Sequence, residues 1–223
     1  MTRIAAIVPM RHHSERVPGK NFRPMAGKPL FHHILETLLS VPQVDRLVVD
    51  TDSPIILADL ASKFPGVTAL ERPEHLRAGE ISMNEVLNHT TAQVEADWYL
   101  QTHSTNPLLQ PGTVSRAITA LLDSQPEHDS LFSVTRLQTR LWDGQGNPLN
   151  HDPQVLLRTQ DLPPVFEENS CLYLFTRNTL EARRNRLGYR PLMFEIDPAE
   201  AWDIDDELNF QIVDFLLGAR GAR

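Results

Sequence analysis

Short apolar runs alternate with amphipathic stretches along the chain. Residues 4–8 read IAAIV, continuous and apolar up to Pro9, which predicts a strand buried on both faces. In PLFHHILETLLS (29–40), Leu30, Ile34, Leu35, Leu38 and Leu39 fall at helical spacing, and Pro29 suits a first turn. RLVVDTD (46–52) reads as a second buried strand running into carboxylates. SPIILADLASKF (53–64) reads as a helix with Ser53 as N-cap and Pro54 at its first position. VTALERP (67–73) is a third strand. Strand–helix alternation at this spacing predicts an α/β chain with a parallel sheet and right-handed crossovers, a Rossmann-like architecture.

The pattern continues with a helix over 82–94, a strand at 98–105 that turns polar, a helix over 112–122 and a strand at 130–137. Residues 138–169 break it. This stretch is rich in Gly, Pro, Asn and Gln, carries DGQGNP and HDP turn signals, and lacks helical periodicity. Its VLLR segment and nearby aromatics make it an arm or hairpin that packs on something, rather than a linker. CLYLF (171–175) and RPLMFEI (190–196) read as strands around a helical TLEARR, and DELNFQIVDFLL closes the pattern as an amphipathic helix. We expect one domain over residues 1–223, with an inserted arm or hairpin at approximately 138–170.

Bulk properties narrow the classes. A hydrophobic fraction of 41% and a charged fraction of 22% are ordinary for a soluble globular chain. A net charge of −8 disfavours non-specific binding to nucleic acid or anionic membrane. The single cysteine, Cys171, excludes an internal disulfide and fits a reducing compartment. No run approaches the roughly 18 apolar residues of a membrane span, and no signal-peptide pattern precedes the first strand, so a cytoplasmic location is expected.

Three polar stretches remain. PMRHHSERVPGKN (9–21) follows the first strand, at the end of the sheet where open α/β folds bind ligands. Arg11, Arg16 and Lys20 can neutralise phosphates, Ser14 adds a hydroxyl, and a Gly-containing loop can offer backbone N–H groups. Neither GxxxxGK[ST] nor GxGxxG is present, and the alternative is a solvated basic turn. His12 and His13 are adjacent and lack a spaced partner, which argues against a metal site. In WDIDDELNF, an extended backbone puts Asp203 and Asp205 on one face and Ile204 on the other. Such a pair suits Mg²⁺ shared with phosphate oxygens, or else forms a charged first turn for the last helix. In RTQDLPPVFEEN (158–169), Pro163 and Pro164 hold Arg158, Gln160, Asp161, Glu167, Glu168 and Asn169 as an extended polar surface.

Together these stretches resemble the acylneuraminate cytidylyltransferase (CMP-sialic acid synthetase) family over nearly the whole chain. The resemblance is carried in order by Arg11, Ser14, Pro18, Gly19, Lys20 and Asn21, then GKPL (27–30), TDS (51–53), RPEHL (72–76) with Ser82, RTQDLPPVFEEN, and DIDDELNF. The S-x-R-x-P-G-K spelling, with Glu15 and Arg16, is similar to octulosonate cytidylyltransferases instead. The resemblance implies a nucleotidyltransferase fold with a protruding dimerisation arm and an enzyme that joins CMP from CTP to an acidic 2-keto-3-deoxy sugar. It implies Arg11, Ser14, Arg16, Lys20 and Asn21 at the CTP phosphates and nucleotide, and Arg72 and Ser82 at cytosine and ribose. It further implies Mg²⁺ on Asp203 and Asp205, with Arg11, Lys20 and Asp205 catalytic. Gln101, His103, Ser104, Arg158, Gln160 and Asn169 are implied at the sugar, Arg158 and Gln160 acting across a homodimer. The loop LQTHSTNPL (100–108) is longer than the family's usual one, which leaves the sugar open among sialic-acid-like, pseudaminic-like and related acids. The competing readings are a nucleotidyltransferase for another base or sugar phosphate, and a nucleotide-binding homologue without catalysis.

Overall fold

The computed structural model describes residues 2–221. Strand β1 (Ile4–Met10) is buried along its whole length. It lies between β4 (Arg46–Thr51) and β6 (Trp98–Gln101), parallel to both. Pro9 does not end β1, because pairing with β4 continues through Pro9↔Asp50 and Met10↔Thr51. The ladder on the other side stops at Ile7↔Gln101, with Thr102 N–H donating to the Ile7 carbonyl. The Pro9 nitrogen has the same parity as Ile7, so it faces the side where no ladder bond is required.

Between β1 and β4 come a two-stranded ribbon, β2 (Pro24–Met25) and β3 (Lys28–Pro29), and helix α1 (Leu30–Leu39). Helix α2 (Pro54–Lys63) follows β4, capped by the Ser53 hydroxyl accepting from Ile56 N–H, with Pro at its first position as expected. Strand β5 (Thr68–Glu71) pairs parallel to β4 at the sheet edge. Helix α3 (Met83–Gln93) begins in a capping box between Ser82 and Glu85. Helix α4 (Pro111–Asp123) leads to β7 (Ser130–Leu137). Strand β8 (Val165–Phe175), helix α5 (Arg177–Arg183), strand β9 (Pro191–Glu195) and helix α6 (Glu207–Gly221) complete the order.

The seven-stranded sheet runs β5-β4-β1-β6-β8-β7-β9. It is mostly parallel, but β8 enters between β6 and β7 antiparallel to both. Alternation along β1 divides the core. Ile4, Ala6 and Val8 pack with α1, α2 and α4 through Phe31, Leu35, Ile56, Ile118 and Leu121. Ala5 and Ile7 face Leu87 of α3 and Leu180 of α5. A third cluster joins Val17, Met25, Leu30 and Leu108 to Ile204 and to Phe210 and Val213 of α6. The last helix therefore pins the opening loop against the carboxyl end of the sheet.

Residues 138–164 form the excursion of a long hairpin. Leu137↔Val165 closes its base, Trp142↔Pro148 makes an isolated bridge, and Thr159–Asp161 is one 3-10 turn. Asn150 holds it from inside, accepting from Leu141 N–H and donating to the Thr139 carbonyl. Leu156 is 90% exposed, with Leu149, Val155, Leu157 and Trp142 also exposed. No helix among the described residues is long and apolar enough to cross a membrane.

Candidate active site

The opening loop turns at Gly19, where φ is +66° and a Cβ would meet the Phe22 ring at 2.9 Å. Glycine is required there by both the backbone and the space. The following 3-10 turn, Lys20–Phe22, aims Lys20 and Asn21 back across the ends of β1 and β6. Asn21 donates to the Arg11 carbonyl at 2.8 Å and accepts from the Ser104 hydroxyl at 2.7 Å. Asp52, at the end of β4, accepts from His12 N–H at 2.7 Å. Arg11 reaches the Gly79 carbonyl at 3.2 Å. Loops after β1, β4, β5 and β6 are thus fastened around one opening.

That opening is a cavity of ≈ 510 Å³, lined by Arg11, Ser14, Arg16, Lys20 and Asn21 with Asp52, Arg77, His103, Ser104 and Thr105 among others. Four cationic side chains converge at the carboxyl ends of parallel strands, as an anionic ligand requires. A second cavity of ≈ 540 Å³ is lined by Thr135, Glu167, Glu168, Asn169, Ser170, Trp202, Asp203 and Asp205 among others. The bulge in the β7–β8 ladder, where Ser170 has φ +59°, turns Asn169 and Ser170 toward it. Asn169 is held there, accepting from the Ser133 hydroxyl at 2.6 Å and donating to Thr135 at 2.8 Å.

The two cavities meet at a seam. Lys20 donates to the carbonyl of Ile204, which is fully buried between Asp203 and Asp205. Arg16 pairs with Asp205 at 2.8 Å. Burial pushes the Asp203 carboxyl above the usual carboxylate range, and Asp205 adds to the rise. Its Oδ1 is buried without a hydrogen-bond partner. Burial lowers the Lys20 ammonium while Asp203 and Asp205 oppose the shift. A partnerless carboxylate oxygen beside a second carboxylate fits a divalent cation that also takes phosphate oxygens. No group of three or more potential metal-ligating His, Cys, Asp or Glu side chains occurs among the described residues, so any cation here relies on substrate for further ligands.

Not every expected residue arrives at these cavities. Arg72 is 1% exposed, its Nε donating to Asp50 at 2.6 Å and its Nη2 to the Asp50 carbonyl at 3.1 Å. The other Asp50 oxygen accepts from Thr90 of α3, so Arg72 is a buried strut tying the end of β5 to β4 rather than a residue lining the first cavity. Ser82 caps α3 and faces a different opening, shared with Asn84, Glu85 and Arg184. Arg158 is paired to Asp161 at 2.7 Å on the exposed excursion, and Gln160 lies on the same turn. Neither lines either of the two cavities. Gln101 is fully buried, and only its neighbours His103 and Ser104 line the first cavity. His12 binds Ser53 through Nδ1 at 2.9 Å and stacks on Phe22, which accounts for it without a metal. Asp52 and Arg77 were missed, although both sit in or beside stretches that carried the family resemblance.

Comparison with known proteins identifies a family and a matching fold. The family model described as cytidylyltransferase matches residues 5–212. The N-acylneuraminate cytidylyltransferase of Oncorhynchus mykiss is 27% identical over 219 residues, covering 95% of this chain and 49% of the relative. The chain thus spans about half the length of that curated relative. A CMP-N,N'-diacetyllegionaminic acid synthase of Legionella pneumophila is 27% identical over 233 residues, covering 96% of each chain. The fold matches that of a CMP:2-keto-3-deoxy-manno-octonic acid synthetase solved with CTP. That match has a TM-score of 0.73 and 20% identity, and covers 98% of this chain and 100% of the other.

Proposed function

This chain belongs to the cytidylyltransferase family, and from that premise we propose that it transfers CMP from CTP to the anomeric hydroxyl of an acidic 2-keto-3-deoxy sugar. The observation that carries the reading is the seam. A cation-lined cavity and a second, polar cavity meet at Lys20, Asp203 and Asp205. Triphosphate fits the first and the sugar acid the second, so the reacting atoms fall between them. The anomeric oxygen attacks the α-phosphorus, the bond from that phosphorus to the β-phosphate bridging oxygen breaks, and pyrophosphate leaves with the charge. The hydroxyl proton is lost to solvent or a neighbouring base.

The side chains mainly position groups and stabilise charge. Arg11, Arg16 and Lys20 face the phosphates, Ser14 adds a donor, and the Asn21–Ser104 bond holds the floor of the cavity. Asp203 and Asp205 are the residues that would hold Mg²⁺, which when bound lowers the charge on the phosphates and the pKa of a coordinated hydroxyl. Asn169 and Ser170 face the sugar. The excursion, on which Leu156 is 90% exposed, fits a homodimer in which Arg158 and Gln160 complete the partner's sugar cavity. We place the reaction in the cytoplasm, supplying activated sugar for surface polysaccharide or glycoconjugate synthesis.

Capture of Arg72 by Asp50 removes one expected cytosine contact, so a second reading admits another nucleotide base. One assay covers both. Pyrophosphate release is measured with each of the four ribonucleoside triphosphates against a panel of ulosonic acids with Mg²⁺. Turnover with CTP and at least one acid is expected. Turnover with another triphosphate alone supports the second reading, and none with any pair overturns both.

A further inference from the structure

Arg186 lies in the loop between α5 and β9, outside every motif that pointed to the site. Its guanidinium sits over the Tyr173 ring, 3.5 Å from the centroid, and Nη1 donates to Gln101 Oε1 at 2.5 Å. The Tyr173 hydroxyl is bonded in turn to Glu168, a wall of the second cavity. Gln101 Nε2 is 2.8 Å from His103 Nε2 and 3.3 Å from the Thr102 carbonyl. His103 lines the first cavity. A chain of side chains therefore links Glu168 in one cavity to His103 in the other.

The direction of each bond follows from chemistry. Arginine can only donate, so the Gln101 atom facing it must be the carbonyl oxygen. The amide nitrogen then faces His103 and the Thr102 carbonyl, and donates to both. His103 Nε2 must accept, so the proton of the neutral ring is on Nδ1. Three groups act on the ring in one direction: burial, the Arg186 guanidinium and the Lys20 ammonium push its pKa down to about 4. A ring that accepts at Nε2 and is held neutral is a poor proton acceptor for catalysis. It is a fixed donor.

We propose that Arg186 is a positioning residue that locks the Gln101 amide, and through it sets His103 as an Nδ1–H donor to a substrate oxygen at the first cavity. The substrate half of this rests on the cytidylyltransferase reading, and the tautomer half does not. Lys20 supplies charge on the phosphate side of the cavity, whereas His103 supplies a neutral donor that ranks substrates by the placement of an acceptor oxygen.

The test is the ¹⁵N spectrum of the histidine rings in the intact protein at neutral pH, assigned with His103→Gln. The result expected is a protonated Nδ1 and an unprotonated Nε2 on His103. In Arg186→Met only the long 3.3 Å bond to the Thr102 carbonyl still orients the Gln101 amide, turned amides become populated, and the ring becomes a tautomer mixture. Arg186→Lys, which also only donates, restores the single tautomer. With CTP and an accepted sugar acid, Arg186→Met loses about tenfold in kcat/KM, the size of one lost hydrogen bond to a buried group, and Arg186→Lys recovers most of it. Protonated Nε2 in the native protein overturns the proposal whether or not any variant folds. A single Nδ1–H tautomer that persists in folded Arg186→Met overturns it as well. The expected tautomers without CMP transfer from any triphosphate would instead overturn the cytidylyltransferase reading and leave the positioning role standing.

Discussion

The two halves of the sheet differ in how finished they are. Around β5, β4, β1 and β6, several polar groups near the cavity are matched inside the chain: Arg72 with Asp50, Asp50 with Thr90, Asn21 with Arg11 and Ser104, Asp52 with His12 N–H, although Thr102 Oγ1 and Asn106 Oδ1 are buried without partners. Around β8, β7 and β9, Asp203 keeps a buried oxygen without a partner, and the 138–164 excursion leaves Leu156 90% exposed. On the proposed assignment, the nucleotide side is largely organised within one chain, and the sugar side is where a cation, a substrate or another copy of the chain would add contacts.

Three perturbations separate these halves. The largest effect is expected at the seam between them. Lys20→Met removes a charge that the proposed function puts at the phosphates and should lower kcat by about 10²–10³-fold, in the range of a lost transition-state donor. Steady-state kinetics on the folded variant check this, and unchanged kcat places the phosphates elsewhere.

The next effect tests the open half. Leu156→Arg should shift the proposed homodimer to monomer in light scattering and raise KM for the sugar acid about tenfold or more, as loss of an interface anchor can. CTP protection against thermal unfolding should be retained, because the first cavity is built within one protomer. Equal loss of both responses would erase the distinction between the halves.

The smallest effect concerns stability. Burial raises the Asp203 pKa, so the folded state holds that proton more tightly than the unfolded chain. Stability from this group is present below the unfolded pKa and is lost as pH rises through the folded value. At neutral pH the ionised carboxylate is a cost. Asp203→Asn should therefore raise Tm by roughly 2–4 °C, as about 1 kcal/mol does in a chain of this size, while turnover is lost. The gain should vanish at acidic pH, and a Tm below that of the native protein at pH 7 would contradict it.

Much of the fold was legible because its signals are local. Apolar runs marked the parallel strands, and Ser53, Pro54 and Ser82 marked helix starts where the structure has them. The antiparallel entry of β8 was not legible, since CLYLF reads as a buried strand in either direction. Pro9 reads as a stop because the sequence does not show on which side a neighbouring strand ends. In the site, Arg11, Ser14, Arg16 and Lys20 come together in one cavity because they share one loop. Arg72 is expected at the base and Arg186 at no site, because their partners Asp50 and Gln101 are set by tertiary packing. A buried strut and a ligand-binding arginine look the same in a sequence.

The most direct test of the account follows the phosphorus. CTP labelled at the α-phosphate is incubated with the protein, Mg²⁺ and a sugar acid that supports turnover, and the products are separated. Label is expected on the CMP-sugar, with unlabelled pyrophosphate released in equal amount. Label found only in free CMP, with the acid left unmodified, would contradict cytidylyl transfer across the seam.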